Sequence, residues 1–487
     1  MQDEAYYRLW SMHLDWSYFS KGPGVAYVMA AGRALVGDHE LGIRFFAVLL
    51  SGGIGLFFFH LGKSLYSERV GFWAVVTAAC VPIFSVGSVL MTIDPISVFF
   101  WMAASWTFWQ ARKSPELPWW CLTGFLIGVG MLAKYTNGVQ LLCFLLFCGL
   151  SRVNRSLLGT GRFWSMFLVT GLCLVPVLVW NQRNDWITVV HLLHRGQLDD
   201  GSWSFRPGEL MQFVLMQALV LSPFIFVGLI VAVVVVGWSY FKKQAGKSSA
   251  ALGSAEIYLV SLFLPLVILY TLLSTKEAGE ANWTVLSHAS GLVLMVALWL
   301  RWSDRSRNLL WLGRAGLAVS LLAVILLHLG SVRTVGIKPI DKLFDRSRGS
   351  HDLARQVAEL QREHGASFII SNKYGHASLI SFYHPERPQT YLPNAKGIQN
   401  QFSFWPDYSD GFWAESALFV TDSEEMPEQL KREFQEVRLV KEAWSHFEGR
   451  AIRKFNIYLC SEFGGEYENI EIPVQASERK PIQGKKK

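Results

Sequence analysis

The sequence predicts a mainly α-helical, polytopic membrane protein that carries a C-terminal extracytoplasmic α/β domain. Three observations predict it. Of 487 residues, 51% are hydrophobic and only 17% are charged, against roughly 25% charged in ordinary soluble domains. Apolar runs recur that are too long for a soluble core. From residue 331 onward the chain changes character, with 22 basic and 22 acidic residues and no such run. Together these exclude a soluble enzyme, a disordered protein and a disulfide scaffold. Five of the six cysteines (Cys80, Cys121, Cys143, Cys148, Cys173) fall in or beside apolar runs. Cys460 stands alone, and no CxxC appears.

A membrane span needs about 20 mostly apolar residues. Ten segments qualify: 43–62, 71–91, 95–111, 117–133, 136–150, 163–180, 210–240, 254–274, 284–300 and 312–330. The 210–240 run is long enough to tilt or to include an interfacial piece. Residues 22–36 are apolar but short and carry Arg33, so they read as an interfacial helix within an outer loop, 1–42.

Lysine and arginine set the orientation. The loops at 63–70, 112–116, 151–162, 241–253 and 301–314 hold 14 basic residues. The alternating loops hold five: Lys134, Arg183, Arg195, Arg206 and Lys276. The first set is therefore cytoplasmic, and the N-terminus, the loop at Asp94 and everything after 330 lie outside. Of the 16 acidic residues before 331, 12 fall on the outer side. An extracytoplasmic site built from carboxylates explains that excess economically. An outer N-terminal loop also needs delivery across the membrane, so a helix preceding Met1 is expected.

The predicted domains are 1–330, transmembrane and catalytic, and 331–475, extracytoplasmic. The polar tail 476–487 is expected to be disordered. In 331–475, helices are predicted at 350–364 (closed by Gly365), 374–384 and 426–434. Strands are predicted at 366–371, 389–392, 416–421, 436–442 and 451–460.

Several polar residues stand out. Asp3 and Glu4 open the chain ahead of Ala5-Tyr6-Tyr7, either as a solvated terminal pair or as carboxylates in use. Lys21, just before the interfacial helix, can snorkel or bind a lipid phosphate. Asp94, in Thr92-Ile93-Asp94-Pro95, has no basic neighbour in its turn. It caps the helix that begins at Pro95, or it faces a partner from elsewhere in the fold. Lys276, Glu277, Glu280, Asn282 and Trp283 share one outer loop, where the lysine and the two glutamates can pair with one another and Trp283 anchors at the interface. Asn181, Asp185 and Trp186 begin another. No phosphate-binding glycine loop, HExxH or zinc-spaced Cys/His cluster appears. A divalent metal finds no support in the residues, and no cofactor is evident. The basic excess sits where topology explains it, so no nucleic-acid partner is expected.

In order along the chain, these strings resemble the dolichyl-phosphate-mannose-protein mannosyltransferase-like family. That is glycosyltransferase family 39 with its bacterial relatives, including the lipid A aminoarabinose transferases, on the membrane glycosyltransferase C fold. Asp3-Glu4-Ala5-Tyr6-Tyr7 resembles the family's acidic motif in the first outer loop. Ser20-Lys21-Gly22-Pro23 resembles its Lys-Pro-Pro segment, with Gly22 replacing the first proline. Gly37-Asp38-His39-Glu40 fits the end of that loop, and Thr92-Ile93-Asp94-Pro95 fits the second acidic loop. Ala133-Lys134-Tyr135-Thr136, Trp180-Asn181 and Asn282-Trp283 follow in place.

The resemblance implies transfer of a sugar from a polyprenyl-phosphate donor to a lipid, glycan or protein acceptor at the outer face of the cell (inner) membrane. It implies single displacement with inversion. It assigns Asp3 as base, Glu4 and Asp94 as groups that position the acceptor or tune the base, and Lys21 as the donor-phosphate ligand. Tyr6, Lys134, Lys276, Glu280 and Asn282 join them as further pocket candidates. The competing readings are a transporter or flippase of a lipid-linked or small polar substrate, and a non-catalytic envelope scaffold.

Overall fold

A computed structural model describes residues 1–196, 205–244, 253–394 and 397–464. The tail expected to be disordered, 476–487, lies outside the described residues. The chain divides into two compact units. One is Leu14–His328; the other joins Met1–His13 to the chain from Leu329 onward.

The first unit is helical. Among the described residues, six helices are long and apolar enough to cross a membrane: Glu40–Leu65, Gly161–Arg183, Pro223–Lys242, Ser254–Leu273, Val285–Ser303 and Arg307–Val332. Gly24–Val36, Leu117–Ala133, Tyr135–Leu150 and Pro207–Leu221 are shorter and apolar. The protein is thus a multi-pass membrane protein. The 13 residues of Gly24–Val36 cannot span, in keeping with an interfacial helix.

Two expected single spans are broken, each at a proline. The 210–240 run is two helices, Pro207–Leu221 and Pro223–Gln244, parted at Ser222 (φ 73°). The ring of Pro223 disfavours helical geometry in the residue before it. The 71–91 run ends one helix, Glu68–Ala79, and starts another, Pro82–Gly87. The 136–150 run opens as a 3-10 turn, Tyr135–Gly138, before the helix Val139–Leu150.

Packing explains why these helices hold together where hydrophobicity alone gives no preference for protein over lipid. Leu117–Ala133 presents Gly124 and Gly128, one helical turn apart, to Gly161–Arg183. A Cβ on Gly124 would stand 2.3 Å from the Met166 carbonyl oxygen. That approach lets Thr170 Oγ1 bond the Gly124 carbonyl at 2.9 Å. Deeper in, Phe108 stacks on Phe144 at 3.8 Å between ring centres, and the Tyr258 hydroxyl donates to the Ser105 carbonyl at 2.7 Å. Val285–Ser303 is the most buried of the six long helices.

The second unit is the α/β domain, whose described residues form a five-stranded sheet in the order β2-β1-β3-β5-β4. The strands are β1 (Phe368–Ser371), β2 (Thr390–Tyr391), β3 (Ala417–Thr421), β4 (Phe434–Phe447) and β5 (Arg450–Phe463). β1 runs parallel to β2 and β3, while β5 is antiparallel to both its neighbours. The sheet's two faces bury different sets, Ile369, Leu418 and Ile457 on one and Phe368, Phe419 and Cys460 on the other. The helix Ser350–His364 ends at Gly365 in the left-handed conformation (φ 64°), as predicted. β4 and β5 are longer than predicted and meet at Glu448-Gly449, both with positive φ (49° and 76°). That geometry suits a tight hairpin turn.

Candidate active site

The polar centre of the helical unit is built from three elements. Asp94 is the second residue of the helix Ile93–Ala111. The cap is Thr92, whose Oγ1 accepts from the Asp94 backbone N–H, so the capping role open to Asp94 belongs to its neighbour. The Asp94 carboxylate sits instead in the first helical turn, where the backbone dipole favours negative charge. Lys134 ends the helix Leu117–Ala133 in an extended conformation, ahead of the 3-10 turn. Asn282 belongs to the loop before Val285–Ser303.

These three meet. Lys134 Nζ donates to Asp94 Oδ1 at 2.8 Å and to the Asn282 carbonyl at 3.1 Å. Asn282 Nδ2 donates to Asp94 Oδ2 at 2.6 Å. Both carboxylate oxygens are engaged, one by a charged donor. The lysine and aspartate side chains are 10% and 17% exposed, so the pair is shielded but reachable.

A ladder beneath fixes the geometry. One turn along, buried Asn137 donates to the Ser97 carbonyl at 3.0 Å and accepts from the Ser97 hydroxyl. A turn further, Gln140 Nε2 donates to the Trp101 carbonyl and to Ser105 Oγ, both at 2.8 Å. Residues three or four apart share a helix face, so the rungs align.

Lys21 lies in the turn after Tyr18, where its carbonyl accepts from the Tyr18 N–H. Thr188 Oγ1 donates to the Tyr18 carbonyl at 3.0 Å, and Phe19 packs on His191 with ring centres 4.5 Å apart. Burial pushes the His191 imidazole down to about 4, and the charges of Arg195 and Lys21 add to the effect. His191 is therefore neutral at physiological pH. Arg195 reaches across to the other loop, 3.9 Å from Glu280 and over the Trp283 ring at 5.7 Å. The helix that carries both, Ile187–Arg195, is entered through Asp185 and Trp186, at φ 50° and 56°. Non-glycine residues there cost about 1–3 kcal/mol each. Lys276 is buried just beyond the end of Ser254–Leu273.

Asp3, Glu4 and Tyr6 belong to the other unit, in the helix Gln2–Trp10. Glu4 is buried and Asp3 half-buried. Tyr6 is committed to packing. Its hydroxyl accepts from the Gln401 N–H at 2.8 Å, and its ring lies 4.6 Å from Tyr374 and 5.9 Å from Phe402.

The structure thus unites Asp94, Lys134 and Asn282 and links Glu280 to Arg195. Sequence reading missed His191, and it counted Arg195 only as a loop charge. A histidine and an arginine four apart on one short helix were the available signal.

Residues 20–180 match the family described as dolichyl-phosphate-mannose-protein mannosyltransferase. The lipid A galacturonosyltransferase RgtD of Rhizobium johnstonii is 25% identical over 378 residues, 76% of this chain and 74% of that one. The fold matches ArnT from Cupriavidus metallidurans over 93% of both chains, with TM-score 0.59 and 14% identity. The chain is similar in sequence and fold to the dolichyl-phosphate-mannose-protein mannosyltransferase-like family. It is a membrane glycosyltransferase of the glycosyltransferase C fold. The transferase also matches ArnT bound to undecaprenyl phosphate, with TM-score 0.58, 15% identity and 93% and 92% coverage.

Proposed function

We propose that the transferase moves a sugar from a polyprenyl-phosphate donor to a lipid or glycan acceptor at the extracytoplasmic face of the inner membrane. The observation that carries this reading is Arg195. It stands one helical turn after His191, whose ring packs on Phe19 in the segment that carries Lys21, and through Glu280 and Trp283 it meets the loop of the Asp94–Lys134–Asn282 centre. A relative named for lipid A and a structural neighbour holding undecaprenyl phosphate support the substrate classes.

The acceptor oxygen attacks the anomeric carbon, and the bond to the donor phosphate oxygen breaks. One such displacement inverts the configuration. Asp3 takes the acceptor proton, and Glu4 positions the acceptor or tunes the base. Lys21 receives the charge on the departing phosphate. Asp94 holds Lys134 and Asn282 in register and lends the acceptor a fixed polar surface. In this reading 1–330 is the catalytic membrane domain and 331–475 lies in the periplasm; the helix Gln2–Trp10 that carries Asp3 packs on the helix Tyr374–Tyr383. The comparisons favour a transferase over a transporter.

The test is mass spectrometry of envelope lipids from cells whose only copy carries Asp3→Asn or Asp94→Asn. Loss of one sugar mass from an acceptor is expected in both. An unchanged lipid profile in both would overturn the proposal.

A further inference from the structure

Behind the Asp94 centre lies a buried polar knot that touches neither Asp94 nor Lys134. Gln217 sits in Pro207–Leu221, His288 in the first turn of Val285–Ser303, and Thr284 just before that helix. All three are buried. Thr284 Oγ1 donates to Gln217 Oε1 at 2.6 Å. His288 Nε2 lies 2.8 Å from the same oxygen and 2.9 Å from Thr284 Oγ1.

The chemistry of the groups fixes the protons. An amide oxygen only accepts, so His288 carries its hydrogen on Nε2. Its Nδ1 is buried with no hydrogen-bond partner among the described residues. A bare lone pair there costs less than a buried, unpaired N–H, so the ring is the neutral Nε2–H tautomer. With Oε1 taking two donors, the Gln217 amide cannot flip, and its Nε2 points at the Ala281 carbonyl, 3.3 Å away.

Ala281 and Thr284 bracket Asn282. The knot therefore grips the loop on both sides of the residue whose amide and carbonyl contact Asp94 and Lys134. We infer that Gln217, Thr284 and His288 are positioning residues, which hold residues 281–284 in the one conformation that presents Asn282 to the Asp94–Lys134 pair. The inference rests on the reading of that pair as part of the active site.

The experiment uses the purified full chain in detergent, with a membrane lipid extract of its host as donor and acceptor source and mass spectrometry of the glycosylated product. Thr284→Val removes the hydroxyl and keeps the shape. It should lower the maximal rate about tenfold in a protein that still folds, leaving the half-saturating extract concentration unchanged, because one oriented hydrogen bond is worth about that factor. Thr284→Ser should restore the rate. In an Asn282→Ala background, Thr284→Val should cost nothing further, because the residue it positions is gone. His288→Phe is the parallel variant, carrying the same expectations if Thr284→Val does not fold. No rate loss, or an undiminished loss in the Asn282→Ala background, overturns the inference alone. Full activity in Asn282→Ala and Asp94→Asn overturns the reading of the centre beneath it.

Discussion

Lys134 Nζ stands 2.8 Å from Asp94 Oδ1, although 40 residues separate the two. Each sits where a helix begins or ends, so neither charge disturbs a helix interior. The pair is compensated locally, with Asn282 taking the second carboxylate oxygen. Removing one partner leaves a shielded charge unpaired, whereas removing both does not. Lys134→Met should therefore destabilise the protein more than Lys134→Met combined with Asp94→Asn. A double-mutant cycle on thermal or denaturant unfolding should give a coupling of about 1–3 kcal/mol. Additive effects would show that the two side chains do not interact.

The rung below makes a separate prediction. Asn137 is fully buried and uses both ends of its amide on Ser97. Asn137→Leu leaves the Ser97 hydroxyl and carbonyl without these partners. It should cost about 1–3 kcal/mol of stability and lower activity through the displaced Lys134. Denaturant midpoints and turnover check both effects. A stable but inactive variant would mean that the rung sets geometry without contributing stability.

In the α/β unit, His376 is buried and accepts at Nε2 from Arg453 Nη1, 3.0 Å away. A guanidinium only donates, so the ring is neutral with its hydrogen on Nδ1. Burial pushes its pKa down to about 4; the charge of Asp422 pulls it up, and Arg453 and Lys373 oppose that pull. The folded state thus binds its proton later than the unfolded chain, whose histidine titrates near 6.5. The stabilising contribution is complete above pH 6.5 and is lost as pH falls toward 4. Asp422 is itself held low and acts only below its ordinary value of 3.8. Between pH 7 and pH 4 the wild type should lose about 3 kcal/mol relative to His376→Gln. Unfolding curves at several pH values measure the difference, and parallel curves would exclude His376 as its source.

Gly365 ends its helix with φ 64°. Alanine there should cost about 1 kcal/mol with no effect on turnover. A loss of activity at unchanged stability would contradict a purely conformational role.

The apolar runs and the charge-rich C-terminal third made the architecture legible, because burial in lipid and burial in a sheet demand different periodicities of the same side chains. Gly365 and the strand patterns at 416–421 and 451–460 were legible for the same local reason. The breaks at Ser222-Pro223 and Val81-Pro82 are also local, yet hydropathy hides them, since a broken helix is as apolar as a continuous one.

Within the site, the sequence by itself determined which residues were worth watching. Asp94, Lys134 and Asn282 are polar groups at the mouths of apolar helices, where an unpaired charge is costly. It left their pairing open, because partners 40 and 188 residues apart are matched by helix packing and not by spacing. Only the tertiary structure decided that Thr92 caps the helix in place of Asp94, that Arg195 serves Glu280 and Trp283, and that a buried histidine and glutamine grip the Asn282 loop. Hydrogen bonds reach about 3 Å and reward only the geometry the whole fold supplies.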